Sequence, residues 1–241
     1  AIVTKNRVYL LGGVINVAYS AVVYTAPINA DGTLGTWTTG TSLPATVAYS
    51  QAIVTKNRVY LLGGYINGAT SAVVYTAPIN ADGTLGTWTT GTSLPATVAY
   101  SQAIVTKNRV YLLGGYINGA TSAVVYTAPI NADGTLGAWT TGTSLPATVD
   151  NSQAIVTKNR VYLLGGVINV ATSAVVDTAP INADGTLGAW TTGTSLPGTV
   201  HYSQAIVTKN RVYLLGGVIN VAYSAVVYTA PINADGTLGT W

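Results

Sequence analysis

Branched and aromatic side chains along this chain come in short runs, and polar residues, Gly or Pro separate them. "AIVT" at Ala1 to Thr4 and "RVYLL" at Arg7 to Leu11 are split by Lys5 and Asn6. Runs this short, rich in β-branched and aromatic residues, predict strands. Asn tolerates the positive φ of a tight hairpin, so the two runs read as antiparallel strands A and B. Gly12 and Gly13 end strand B. After "VINVAY" the run "SAVVYTA" predicts strand C, which must stop or bend at Pro27 because proline cannot donate to an interior ladder. "NADG" supplies a turn and "GTWTTGT" strand D, before Ser42, Leu43 and Pro44 close the pattern.

The whole pattern then returns with a period of 51 residues, from Ala1, Ala52, Ala103, Ala154 and Ala205, the last copy running 37 residues to Trp241. One copy buries too little surface to be stable alone, so neighbouring copies must cover each other's apolar faces. Residues 1–241 are therefore expected to form a single domain. Four strands in about 50 residues is the content of one propeller blade. The predicted fold is all-β, a five-bladed propeller with four antiparallel strands per blade. Trp37, Trp88, Trp139, Trp190 and Trp241 should each pack on their own or the adjoining copy, Trp241 most weakly.

The hydrophobic run ending in Gly-Gly ("VYLLGG"), followed by Tyr24 and then Trp37, resembles the kelch repeat. The resemblance covers every copy and implies a kelch-like β-propeller. Two departures stand out: the gap from Tyr24 to Trp37 is longer than the kelch pattern has, and Asp177 replaces the Tyr in the fourth copy. The enlarged hairpin "NADGTLGTW" is also similar to the Asp-box of sialidase-type propellers, with extra residues between Asp31 and Gly35. That resemblance implies a structural hairpin away from any active site. Asn29 and Asp31 offer too few oxygens for a calcium loop, so a turn is expected there.

Composition removes several chemistries. The chain has no Cys, Met, Phe or Glu and one His, and charged residues make up 7% of it. Disulfides and thiolate metal sites are excluded, and the redox compartment is left open. The net charge of +3 arises from one Lys and one Arg per copy against seven Asp, spread evenly. No basic patch for nucleic acid results. The uncharged run from Val8 to Ala30 is long enough to raise a membrane span, but Gly12, Gly13, Asn16, Ser20 and Pro27 interrupt it as turn residues do. Membrane insertion is not expected, and an extracellular or cell-surface location is favoured.

Up-and-down strands put the B to C loop and the D to A linker at one end, and the A to B and C to D hairpins at the other. The second end carries Lys5, Arg7 and Asp31 in each copy, a ring of mixed charge read as solubility and local pairing. Most differences among copies fall at the first end. Val14 becomes Tyr65 and Tyr116, Val17 becomes Gly68 and Gly119, and the linker pair Ala48 and Tyr49 becomes Asp150 and Asn151, or His201 and Tyr202.

Tyr, Asn, Ser and Gln with almost no charge suit sugars, because rings cover C–H faces while amides and hydroxyls meet hydroxyl groups. Candidate binding residues are Asn16, Tyr49, Ser50, Gln51, Tyr65, Asn67, Tyr100, Tyr116, Asn118, Asn151, His201 and Tyr202. The plainer reading makes Asn16 a turn residue, Gln51 a backbone partner and the tyrosines covers for sheet edges. His201, Asp150 and Asp177 are the irregular ionisable residues. No Ser-x-x-Lys or Gly-x-Ser-x-Gly pattern accompanies them, and a copper oxidase of the galactose-oxidase kind would need a Cys and several His. The expectation is a non-catalytic binding module without metal or cofactor, a monomeric ring with a glycan or a protein on the loop face. The alternative is a structural or engineered repeat scaffold with no evolved ligand.

Overall fold

The computed structural model describes all residues, Ala1–Trp241, and is all-β with no helix. No helix of the chain is therefore long and apolar enough to cross a membrane. The chain divides into two compact units, residues 1–100 with 128–139, and residues 101–127 with 140–241.

In the first unit, repeat 2 shows the predicted order: Gln51–Val54 (A), Arg58–Leu62 (B), Val74–Pro78 (C) and Thr89–Thr90 (D) form one antiparallel sheet. Ile53 lies opposite Tyr60, and Tyr60 opposite Thr76, which in turn faces Thr89. Strand C stops at Pro78, as the missing N–H requires. Strand D is only two residues long. In the second unit, repeat 4 repeats the arrangement with Gln153–Val156, Arg160–Leu164, Val176–Pro180 and Thr191–Thr192.

A further pairing was not predicted. The linker residues Val47–Ala48 form a strand against Tyr65–Ile66, the start of the next B to C hairpin, with Val47 opposite Ile66 and Ala48 opposite Tyr65. In the second unit Val149–Asp150 meets Val167–Ile168 in the same way. The Gly-Gly pair makes room for this ribbon. Gly63 and Gly64 have φ of 57° and 93°, and their amides donate to Val73 O and Val98 O at 3.0 and 2.7 Å. A Cβ on Gly63 would strike the Val98 carbonyl, so side chains are barred there on two counts.

Alternation along the strands gives each sheet apolar faces, and successive repeats within a unit cover each other's. In the first unit the face of repeat 1 bearing Ile2, Tyr9 and Val23, together with Leu43 and Val47 from the linker, packs on Val59, Leu61, Leu85 and Trp88 of repeat 2. In the second unit, Ile104, Tyr111 and Val125 of repeat 3 pack likewise on Val161 and Leu163 of repeat 4. Ile155, Tyr162 and Val176 of repeat 4 pack on Val212 and Leu214 of repeat 5. Full burial of each such side chain contributes about 1.5–3 kcal/mol.

A polar clasp locks each junction in register. Tyr9 Oη and Thr4 Oγ1 both donate to the Gly83 carbonyl, at 2.7 and 3.3 Å, and Asn6 Nδ2 donates to Asp82 O at 3.2 Å. Gly83 must lack a side chain, since a Cβ there would collide with the Asn6 carboxamide. Thr55 and Tyr60 hold Gly134 in the first unit, while Thr106 and Tyr111 hold Gly185 in the second, and Thr157 and Tyr162 hold Gly236. The tryptophans add a second tie, Trp88 Nε1 donating to Thr41 O and Trp139 Nε1 to Thr92 O, both at 3.2 Å.

Trp241 was expected to be the loosest of the five, but that place belongs to Trp37. It is 42% exposed against 6% for Trp88. Trp241 is half-buried, with its indole N–H enclosed and unpartnered.

Replacing Trp139 by Ala should cost about 3–5 kcal/mol, as a buried ring does, while Trp37→Ala should cost less than about 1 kcal/mol as a surface change. Urea denaturation of the two variants checks the contrast. A second expectation concerns the B to C turns, where Val17, Val170 and Val221 have φ of 62°, 66° and 67°, in the place of Gly68 and Gly119. A β-branched residue there costs about 1–2 kcal/mol, partly offset by the chain entropy that Gly loses, about 0.5–1 kcal/mol. Val17→Gly, Val170→Gly and Val221→Gly should therefore each raise the melting temperature in a thermal scan.

Candidate functional site

The B to C hairpins and D to A linkers do come together at one end. Asn67 N donates to Thr46 O at 3.1 Å, and Thr46 Oγ1 donates to Asn67 Oδ1 at 3.3 Å. The other end gathers the A to B and C to D hairpins through the clasp already described.

Four tyrosines of the first unit meet at the linker end. Tyr49 and Tyr100, from successive linkers, have ring centroids 4.6 Å apart at 36°, and Tyr100 N donates to Tyr49 O at 3.3 Å. Tyr65 lies 5.8 and 5.9 Å from these two rings, and Tyr19 6.2 Å from Tyr65 and 6.3 Å from Tyr49. Tyr49 and Tyr19 are exposed, while Tyr65 and Tyr100 are half-buried. Both linker tyrosines, and Tyr202 in the second unit, sit at φ of 54° to 55°, a left-handed conformation uncommon outside Gly and Asn.

Tyr19 was not among the residues singled out from the sequence. The hairpin register explains its place. Val14 faces Tyr19, and Tyr65 faces Thr70, so the aromatic ring changes strands within one cross-strand pair. In the second unit Tyr116 faces Thr121, and Val218 faces the well-exposed Tyr223. Repeat 4 alone has neither ring, with Val167 opposite Thr172. Comparing the copies at both partners of the pair, rather than position by position, would have found Tyr19.

The other predicted residues take mostly structural places. Asn16, Asn67 and Asn118 occupy left-handed turn positions with φ of 49° to 51°. Gln51 begins strand A. Its counterpart Gln102 uses its carboxamide internally, Nε2 donating to Ser101 O at 3.1 Å and Oε1 accepting from Ala154 N at 3.3 Å. Ser50 is half-buried beside Gly64, and Ser101, Ser152 and Ser203 are buried. Tyr116 is half-buried on its hairpin.

Around repeat 4 the chemistry changes. Asn151 stands where Tyr49 stands, at φ 51°, and its Nδ2 donates to Asp150 Oδ1 at 2.8 Å. Burial raises the Asp150 carboxyl above its ordinary value, against the opposing pull of the Asn151 hydrogen bond and of the nearby His201. The His201 ring lies 4.7 Å from the exposed Tyr202, and its Nδ1 is enclosed without a partner. Asp177, in strand C between Leu163 and Thr192, is buried and accepts one hydrogen bond, from Thr192 Oγ1 at 3.1 Å. Its carboxyl is likewise raised by burial.

At the opposite end the aspartates are spent on turns. Asp31 Oδ1 accepts from Thr33 N at 3.0 Å and from Thr33 Oγ1 at 2.7 Å, and these bonds hold its carboxyl below the ordinary range. No group of three His, Cys, Asp or Glu side chains gathers anywhere. Some concave spaces lie between strands. One of about 360 Å³ in the first unit is lined by Arg58, Tyr60, Thr76 and Thr89–Thr92. Arg58 Nε there donates to Thr76 Oγ1 at 3.1 Å, and its charge helps to lower Asp133.

No family model matches the chain, and no curated protein matches it. Among solved structures, that of YjhT superposes with a TM-score of 0.72 at 12% identity, over 98% of this chain and 81% of that one. That likeness is one of fold.

Asp177 yields a pH-dependent expectation. Its folded value is raised above the unfolded one, so the folded state binds the proton more tightly, which favours folding at acid pH and is lost as pH rises through the folded value. Asp177→Asn should therefore raise the melting temperature at neutral pH, and the gain should shrink as the medium is acidified. Thermal scans of the variant and the parent across that range check it.

Proposed function

We propose that this chain is a five-bladed, kelch-like β-propeller that acts as a non-catalytic binding module, with carbohydrate as its ligand on the tyrosine-bearing end. The observation that carries this reading is the group of four tyrosines at Tyr19, Tyr49, Tyr65 and Tyr100, with Tyr49 and Tyr100 in left-handed backbone. Local stability alone would select Asn or Gly at those linker positions, as Asn151 illustrates. Keeping a large ring there costs about 1–2 kcal/mol of backbone energy, which contacts of the ring with a ligand would offset.

The chemistry around the rings is neutral. An aromatic patch without charge favours the C–H faces of sugars, each stacked ring adding about 0.5–1.5 kcal/mol. Tyr19 and Tyr49 are exposed, so single contacts are weak and a multivalent glycan gains by spanning several. Sites are unequal: the patch is complete in the first unit, and the neighbourhood of Asn151, Val167 and Thr172 lacks it.

A repeat scaffold without a ligand is the second reading. The specific observation on its side is that the Gln102 carboxamide and the Asn67 Oδ1 are already engaged within the chain.

The test replaces Tyr49, Tyr100 and Tyr202 together by Asn, the residue that the linker between repeats 3 and 4 itself carries. The parent should bind a glycan array, and the triple variant should lose that binding while melting at the same or a higher temperature. Retention of binding by the variant, or no binding by the parent to a broad array, gives the scaffold reading its place.

A further inference from the structure

The threonine-lined clefts between strands take no part in the binding reading above. In the first unit one of about 340 Å³ lies between repeat 1 and the C to D hairpin of repeat 2, and one of about 360 Å³ is lined by the same residue types a period later. The second unit has one of about 350 Å³ at Arg109. The floor of the first is the sheet face that carries the cross-strand pair Tyr9 and Thr25, with Thr38 opposite Thr25 on strand D. Leu85 of the next hairpin closes one side, and Gly40 after strand D leaves the space beside Val23 open.

Each cleft has one cation and no carboxylate in its walls. Arg7 is half-buried, and its Nε donates to Thr25 Oγ1 at 3.1 Å, as Arg58 Nε does to Thr76 and Arg109 Nε to Thr127. That bond fixes the plane of the guanidinium and leaves its two Nη groups without a hydrogen bond or an ion pair. Asp82 feels the charge of Arg7, but its carboxylate already holds Thr84 N and Oγ1 at 3.0 and 2.6 Å. Thr25 is buried, and its hydroxyl, having accepted from Arg7, still has a proton to give. In repeat 4 the counterpart Thr178 spends that proton on Val161 O at 2.9 Å. Thr39 and Thr41 add exposed hydroxyls at the rim. Donors thus converge on a space walled by Val23 and Leu85, where a charge-assisted hydrogen bond is stronger than in open water.

We infer that these clefts bind oxyanions, a sulfate, phosphate or carboxylate group free or carried by a small molecule, with the Arg fork on its oxygens and threonine hydroxyls completing the shell. None of the four clustered tyrosines lines the clefts, so this binding is separate from the glycan reading and survives its failure.

Equilibrium dialysis against radiolabelled sulfate, with ionic strength held constant by chloride, tests the inference. The parent should bind sulfate saturably, and acetate should displace it whereas glucose should not. Glucuronate displacing more strongly than acetate assigns the anion to a sugar, equal displacement assigns it to a free ion, and either result upholds the site. Arg7→Gln, Arg58→Gln and Arg109→Gln together should weaken binding by on the order of tenfold or more, as loss of a charged hydrogen bond does. Lys5→Gln, Lys56→Gln and Lys107→Gln remove the same charge outside the clefts and should leave binding unchanged. Gly40→Leu, Gly91→Leu and Gly142→Leu fill the clefts with the arginines intact. None of these glycines has a positive φ, and a Cβ on each meets nothing closer than 3.4 Å, so the chain should fold while binding is lost. Circular dichroism checks the fold, and should the arginine variant unfold, the glycine and lysine variants decide. Binding that does not saturate overturns the inference, and so does binding retained by the glycine variant, displaced by glucose, or lost equally in the lysine variant, which marks attraction to the net charge alone.

Discussion

The glycine carbonyl of each C to D hairpin is the point on which the array turns. Tyr9 and Thr4 converge on Gly83 O, and the same pair of hydroxyls recurs on Gly134, Gly185 and Gly236. A single such bond adds only about 1 kcal/mol net, far less than the apolar surface packed beside it. Its importance is directional. Apolar faces built from Ile, Leu and Val slide with little penalty, whereas two donors on one buried acceptor fix a single register and leave a buried polar group unsatisfied in any other. The missing side chain at Gly83 and the carboxamide of Asn6 beside it belong to the same lock.

With the register fixed at that end, the linker end is free to vary. The copies remain alike where the clasp is made and differ where Tyr, Asn, Asp and His are displayed. The small ribbon formed by Val47–Ala48 and Tyr65–Ile66 carries these differences on a backbone that does not change, since the same ladder forms at Asp150 and Val167. Side chains there are exchangeable decoration on a fixed frame, and loops of this kind are where binding residues accumulate.

Strand order, the stop at the prolines and the two loop ends were legible in the sequence because each rests on local rules: short β-branched runs, a missing N–H, Gly-Gly punctuation. The linker strand was not, because Val47 and Ala48 are too few to form a run and pair with residues well along the chain. The exposure of Trp37 was equally hidden, since five identical motifs give no sign that one ring is more exposed than the rest. At the candidate site, Tyr49, Tyr65 and Tyr100 stood out as differences between copies. Asn16, Gln51 and Ser50 looked similar in type, yet the turn geometry, the Gln102 carboxamide and the buried Ser101 show such residues absorbed by backbone. Residue type does not separate a polar group facing solvent from one already satisfied. Register does, and it placed Tyr19 opposite Val14.

The long reach of the junction contacts bears on how such a chain can change its length. Thr4 and Gly83 are 79 residues apart, Tyr9 and Gly83 74, and Trp88 and Thr41 47. No segment one period long, wherever it is cut, contains all of its own partners. The unit that recurs in the sequence is thus not a unit that could fold, and its borders have no structural meaning. A gene that gains or loses copies by unequal exchange restores every clasp wherever the crossover falls, provided that the two breakpoints are a whole number of periods apart. Folding constrains the phase of such an exchange and is indifferent to its position.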